Sequence, residues 1–274
     1  MTGTGTRVAT AIVLLVAFAA DLFYAPLDVF ALVLGLVVAA SAWEWSRLAG
    51  IRHEHVQTAY GALVGLVALV CLYLPLSEAF VRWIMLGGLL FWLSVPAAFY
   101  LAPIHPPIER ADPVLLVAGA CLFVVAALAM QYLHSQAPHA SPFLLLYALG
   151  IVWLMDIGAY FAGRRFGRRK LAPLISPGKT WEGVWGGAAV TAAVLVAVLI
   201  GGDWLPGDAA RIAIATLVAA AASVVGDLYE SRLKRAAGRK DSSTLLPGHG
   251  GVLDRIDGLL AALPLFAFVW AWTA

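Results

Sequence analysis

Between two long apolar runs, residues Gly226 to Gly258 read GDLYESRLKRAAGRKDSSTLLPGHGGVLDRIDG, with a charge every few positions. Carboxylates stand at Asp227, Glu230, Asp241, Asp254 and Asp257, and cations at Arg232, Lys234, Arg235, Arg239, Lys240 and Arg255. A glycine-rich turn, Pro247-Gly248-His249-Gly250-Gly251, comes just before the last carboxylate pair. Hard carboxylate oxygens, a band of cations and exposed backbone N–H groups are what a metal–polyphosphate complex needs. The stretch therefore reads as an active site.

Asp227 is expected to close one apolar span and Asp254 to open the next. Asp257 then lies one turn deeper than Asp254 on the same helical face, and Glu230 stands in the same relation to Asp227. Two helix ends would bring four carboxylates toward one point and hold a divalent ion. Mg²⁺ suits such a place, since it takes few carboxylates and keeps positions for water and phosphate. The plainer alternative is a set of interfacial acids salt-bridged to Lys234 or Arg255. Glycines without Cβ let the N–H groups of the 248–251 turn approach phosphate beside a helix N-terminus, although the turn also reads as a flexible link. His249 is expected to donate to a phosphate or to be structural.

A second basic loop carries Gly163-Arg164-Arg165-Phe166-Gly167, Arg168-Arg169-Lys170 and Ser176-Pro177-Gly178-Lys179-Thr180-Trp181-Glu182-Gly183. Attraction to anionic headgroups accounts for Arg168-Arg169-Lys170. It does not account for Gly-Lys-Thr immediately before an apolar span. This is no Walker A loop, because the first glycine is missing and no strand is expected before it. A lysine and hydroxyls at a helix N-terminus still suit phosphate. Asp156 falls inside an apolar run, where an acid is by default a functional candidate and otherwise a structural hydrogen-bond partner. Glu44, flanked by Trp43 and Trp45, reads as part of an interfacial anchor. His53-Glu54-His55 reads as a solvated loop.

These residues need elements to hold them, and composition names the class. The chain has 274 residues, is 62% hydrophobic and has a mean hydropathy of +0.89. Soluble domains are about 45–50% apolar, so the excess points to a bilayer. Apolar runs of about 17–25 residues can cross one as helices. Nine spans are expected, near 8–24, 26–43, 57–75, 80–100, 114–133, 142–162, 183–201, 209–226 and 256–272. The first has a rival reading as a cleaved signal peptide, since Arg7 precedes a run ending in Ala17-Phe18-Ala19. The fold class is thus all-α and polytopic. It forms a single membrane domain, with N-terminal helices in 1–140 and the catalytic helices and loops in 141–274. The proline-rich segment around Pro103, Pro106, Pro107 and Pro113 reads as a stiff connection within it.

Orientation follows from basic residues. With a cytoplasmic N-terminus, all of the 18 Lys and Arg residues except Arg82 and Arg211 fall inside. The positive-inside rule favours that arrangement, and nine spans then put the C-terminus outside. A net charge of +2 gives no reason to expect nucleic acid as a partner. Cys71 and Cys121 lie in apolar runs without metal-ligand spacing.

The C-terminal stretch closely resembles the phosphatidate cytidylyltransferase (CDP-diacylglycerol synthase) family. The family pattern S-x-x-K-R, K-D, L-P-G-H-G-G-x-x-D-R-x-D is matched by Ser231, Lys234, Arg235, Lys240, Asp241, Leu246 to Gly251, Asp254, Arg255 and Asp257. Asp156 with Tyr160, Gly163–Gly167 and Ser-Pro-x-Lys-Thr-x-Glu-Gly are also similar to the family, so the likeness runs from about residue 150 to the end. The resemblance implies CTP + phosphatidate → CDP-diacylglycerol + pyrophosphate, dependent on Mg²⁺, with room for a second cation. It implies metal binding at Asp227 and Asp254, with Asp257 and Lys234 needed for turnover. It implies substrate contacts among Asp156, Arg164, Ser176, Lys179, Thr180, Ser231, Arg235, Lys240, His249, Gly250, Gly251 and Arg255.

The residues agree with such chemistry. Phosphatidate already carries an ionised nucleophile, so positioning and charge neutralisation at the α-phosphorus suffice. The acyl chains stay in the bilayer while the headgroup meets CTP at the cytoplasmic face, as expected in a bacterial inner membrane. Two other classes stay open. One is a related nucleotidyltransferase using another lipid phosphate. The other is an anion transporter, disfavoured because its charges should lie near the midplane in repeated halves. A homodimer is an expectation only.

Overall fold

The computed structural model describes residues 13, 16–101, 106–135, 141–202, 207–248 and 250–272. Among them, eight helices are long and apolar enough to cross a membrane. They are α1 (Leu27–Leu48), α2 (Glu54–Tyr73), α3 (Glu78–Leu101), α4 (Pro113–Ser135), α5 (Ser141–Phe166), α6 (Trp181–Gly201), α7 (Asp208–Ala236) and α8 (Leu253–Trp272). Two short strands, β1 (Lys170–Ala172) and β2 (Ser176–Thr180), lie between α5 and α6. The protein is an all-α polytopic integral membrane protein. Of the first expected span, 8–24, residues 16–24 are helical, and 1–12, 14 and 15 lie outside the described residues.

The helices are apolar on more than one side, as elements surrounded by lipid must be. Leu63 and Leu66 on α2, Leu90 and Leu93 on α3 and Phe161 on α5 all point outward, exposed. Lipid competes well with apolar side chains, so packing depends instead on small residues that let backbones approach. A Cβ added at Gly61 would stand 2.7 Å from the Ala39 carbonyl, and one at Gly65 would stand 2.7 Å from Ala39 Cβ, which explains the close α1–α2 pair. Similarly, a Cβ at Gly183 would meet the Ala159 carbonyl at 2.9 Å and one at Gly187 the Met155 carbonyl at 2.5 Å. Those contacts bind α6 to α5.

The chain divides into two compact units. The first comprises the described residues of Met1–Leu76, Pro106–Gln131 and Leu233–Ile256. Here Trp45, fully buried, donates from Nε1 to the Leu115 carbonyl at 2.8 Å and meets the Phe123 ring edge-on at 5.7 Å. Asp112 caps α4, its Oδ1 accepting from the Val114 and Leu115 amides at 2.9 and 3.1 Å. The amides of Asp112 and Ile108 donate to the carbonyls of Ala49 and Ala236 at 2.9 and 3.1 Å. The end of the proline-rich connection is thereby tied to the C-terminal ends of α1 and α7.

The second unit comprises the described residues of Ser77–His105, Tyr132–Arg232 and Asp257–Ala274. Its hairpin pairs Lys170 with Thr180 and Ala172 with Ser176, antiparallel. Thr180 caps α6 by accepting from the Gly183 amide at 3.1 Å. Glu182, the second residue of α6, accepts from the Arg168 and Arg169 amides at 2.9 and 3.1 Å, which fixes the approach to the hairpin. Within this unit α7 and α8 cross closely, since a Cβ at Gly226 would lie 2.6 Å from the Asp257 carbonyl.

Candidate active site

In the second unit, the packing of α5, α6 and α7 leaves a cavity of about 530 Å³. Asp156, Tyr160 and Arg164 reach it from successive turns of α5, Gly178 to Thr180 from the end of β2, and Asp227 from α7. Met155, Ala159, Val184 and Val224 make its apolar wall. Lys179 forms an ion pair with Asp227, both partly exposed. Ser231, one turn beyond Asp227 and nearly buried, donates to Asp227 Oδ1 at 3.3 Å. Arg164 donates to the Tyr160 hydroxyl at 2.9 Å. The cavity thus joins an apolar wall to two cations and two carboxylates, the composition that suits an amphipathic anion.

In the first unit, Asp254 is the centre of a tighter cluster. Lys234 Nζ donates to its Oδ1 at 2.8 Å, the Ser242 amide lies 3.1 Å from Oδ2, and the Gly251 amide donates to Oδ2 at 2.8 Å. The side chains of Lys234 and Asp254 are only 12% and 8% exposed, so this pair is much drier than Lys179–Asp227. The loop closes where the Leu246 amide donates to the Gly250 carbonyl at 2.8 Å. Gly250 has φ +83°, and a Cβ there would also meet Asp254 Oδ2 at 2.7 Å. A left-handed backbone and the nearness of the carboxylate together call for glycine.

Beneath this loop lies Glu44, completely buried. Its Oε1 accepts from Ser243 Oγ at 2.5 Å and the Val252 amide at 3.0 Å. Its Oε2 accepts from Ser242 Oγ at 3.1 Å and the Leu253 amide at 2.6 Å. The reading of Glu44 as an interfacial anchor is corrected. The tryptophans beside it are not sufficient evidence of an interface, and the rule that an acid in an apolar helix is a functional candidate would have found it. Ser242 and Ser243 were also missed, because a polar residue in a polar loop carries no signal of what it touches.

Other expectations change in detail. The Gly251 N–H, expected to face a phosphate, donates to Asp254 instead. Four carboxylates were expected at one point, yet among the described residues no group of three or more His, Cys, Asp or Glu side chains is placed to hold a metal ion. Glu230 is buried in α7, and Asp257 accepts from the Gly258 amide at 2.7 Å. Ser176 lies in β2 outside the cavity lining, and Ser231 serves Asp227. Arg235, Lys240 and Arg255 are exposed around the Asp254 loop, Arg235 donating to the Arg239 carbonyl at 3.2 Å. His249 lies outside the described residues. Glu54 and His55 open α2 rather than lying in a loop, and His53 precedes its first turn.

The donor chemistry still fits Mg²⁺. Asp227 and Asp254 each offer hard oxygens, and each is paired with a lysine. Residues 5–272 match the cytidylyltransferase family. The chain is 38% identical to a phosphatidate cytidylyltransferase of Haemophilus influenzae, over 96% of this chain and 97% of the relative. It is 40% identical to a protein of that name from Pseudomonas aeruginosa, over 97% and 96%. Another, from Brucella melitensis, is 34% identical over 88% and 84%.

Proposed function

Because the chain belongs to the cytidylyltransferase family, we propose that it transfers CMP from CTP to phosphatidate, giving CDP-diacylglycerol and pyrophosphate. One observation carries the reading in this structure: Asp227 within α7 and Asp254 at the start of α8 are each held by a lysine, Asp227 by Lys179 and Asp254 by Lys234. Such pairs hold charge of both signs that a triphosphate and its counter-ion can take over.

In the reaction, an oxygen of the phosphatidate phosphate attacks the α-phosphorus of CTP. The bond from that phosphorus to the bridging oxygen of the β-phosphate breaks, and pyrophosphate leaves with the electron pair. The nucleophile is already anionic, so no side chain needs to remove a proton. Asp227 and Asp254 each offer carboxylate oxygens to Mg²⁺, which would supply neutralisation of the triphosphate and of the leaving group. Lys179 and Lys234, released from their aspartates, take phosphate oxygens. Arg164 adds charge at the rim of the cavity, whose apolar wall accommodates the lipid next to its headgroup. Glu182 and Thr180 hold Lys179 in place through the hairpin and the start of α6.

The finer topology belongs to the same reading. Nine spans, a cytoplasmic N-terminus and an active face at the cytoplasmic side of a bacterial inner membrane are supported by the clustering of Lys and Arg in alternate loops. In detergent with Mg²⁺, CTP and phosphatidate, the purified protein is expected to release pyrophosphate and form CDP-diacylglycerol. Asp254→Asn is expected to lose nearly all of that activity, and full turnover by this variant at ordinary Mg²⁺ would remove Asp254 from the metal role.

A further inference from the structure

We propose that Glu44, about two hundred residues away in sequence, is the positioning residue for Asp254 and so for turnover. The inference rests on the proposed reaction. Four donors converge on this one buried carboxylate: the hydroxyls of Ser242 and Ser243 and the amides of Val252 and Leu253. The two amides lie at the start of α8, where backbone N–H groups have no partner within the helix. A carboxylate from α1 therefore caps α8, in the place where the helix dipole favours negative charge.

The same loop residues reach Asp254. Ser242 gives its hydroxyl to Glu44 and its amide to Asp254. Gly251, whose amide donates to Asp254, is followed directly by Val252, whose amide donates to Glu44. Seen from Gly251, Glu44 leaves no space, since a Cβ there would lie 2.5 and 2.6 Å from its oxygens. Glu44 thus fixes two of the donors that orient Asp254, without being one of the groups that would touch substrate. An anchor at a membrane surface would not need complete burial or four directed hydrogen bonds.

Glu44→Gln keeps the shape but replaces one acceptor by an NH₂ group, which must face at least one donor. Loss of a partner that orients a ligating residue typically costs about 10–100-fold in activity or metal affinity. The expected result is a kcat lower by about that factor, with the KM for phosphatidate within about twofold of wild type. Trypsin cleavage at exposed Arg239 and Lys240 should accelerate, and the Mg²⁺ concentration for half-maximal protection against it should rise. Ser243→Ala, which removes one of the four donors, should give a smaller change in the same direction. It also serves if Glu44→Gln does not fold. Unchanged kcat and loop cleavage in the folded variant overturn the proposal. So does a loss that merely follows the amount of folded protein, with the Mg²⁺ dependence unmoved. If wild-type protein fails to use CTP and phosphatidate, the proposed reaction falls while the cleavage and Mg²⁺ arms still judge Glu44.

Discussion

Gly251→Ala places one methyl group against the Glu44 carboxylate and the Ser242 hydroxyl. The new Cβ would contact Ser242 Oγ and stand 2.5 and 2.6 Å from the oxygens of Glu44, so the acid, the serine or the loop must move. Helix α1 is packed around Glu44, with Trp45 and Ser46 buried, so most of the movement falls on the loop. Overpacking of this kind costs about 1–3 kcal/mol. Weakening one hydrogen bond to a charged acceptor adds about 1.5–3 kcal/mol. A total of about 2.5–6 kcal/mol is expected, and displacing Asp254 by ~1 Å would lower turnover about 100-fold. Gly150 on α5 is the control, because a Cβ there meets nothing within 4 Å. The assay is pyrophosphate release, together with the midpoint of unfolding in detergent. Gly150→Ala should keep wild-type turnover and a midpoint no lower than wild type, since alanine favours the helix by up to about 1 kcal/mol. A Gly251→Ala protein with wild-type turnover and midpoint would refute the crowding argument.

Lys234→Met removes the cation from an aspartate whose side chain is only 8% exposed. Since the Ser242 and Gly251 amides stay, the expected loss of stability is about 2–3 kcal/mol, below the usual cost of breaking a buried pair. Mg²⁺ should restore part of it, as read from the unfolding midpoint with and without the ion. A cysteine placed at exposed Lys240, in a background without Cys71 and Cys121, should react with an impermeant thiol reagent only from the cytoplasmic side of sealed vesicles. Labelling from the other side would reverse the proposed topology.

Hydropathy marked the helices well because a bilayer imposes their length. The span expected at 57–75 is Glu54–Tyr73, and that at 114–133 is Pro113–Ser135. The largest error is at α7, expected to end near 226 and helical to Ala236. Residues 227–236 are charged but contain Leu, Glu, Arg, Lys and Ala, all good helix formers. An apolar run ends where lipid contact ends, and the helix continues beyond it. The β1–β2 hairpin was not legible, since its five-residue strand Ser-Pro-Gly-Lys-Thr has neither alternation nor β-branched content before its last residue. Among site residues, Asp156, Arg164, Lys179, Thr180 and Asp227 could be identified by type and do line one cavity. Glu44 could not be paired with its loop, because hydropathy shows where a helix meets lipid and not which distant amides meet its acid.

That loop explains why a carboxylate is used where an apolar plug would seem cheaper. Residues 242–248 and 250–253 lead toward a helix start and are partly shielded from water, so their buried donors must find acceptors within the protein. Glu44 satisfies four at once, and Asp254 takes the Ser242 and Gly251 amides. These backbone partners of Asp254 cannot leave without opening the loop. Lys234, at the end of a four-carbon stem, can. On the proposed reaction, Asp254 would be freed for Mg²⁺ by the departure of that one flexible side chain, its carboxylate being already aimed. Orientation is settled on folding, which leaves catalysis to move one ammonium group from a carboxylate to a phosphate.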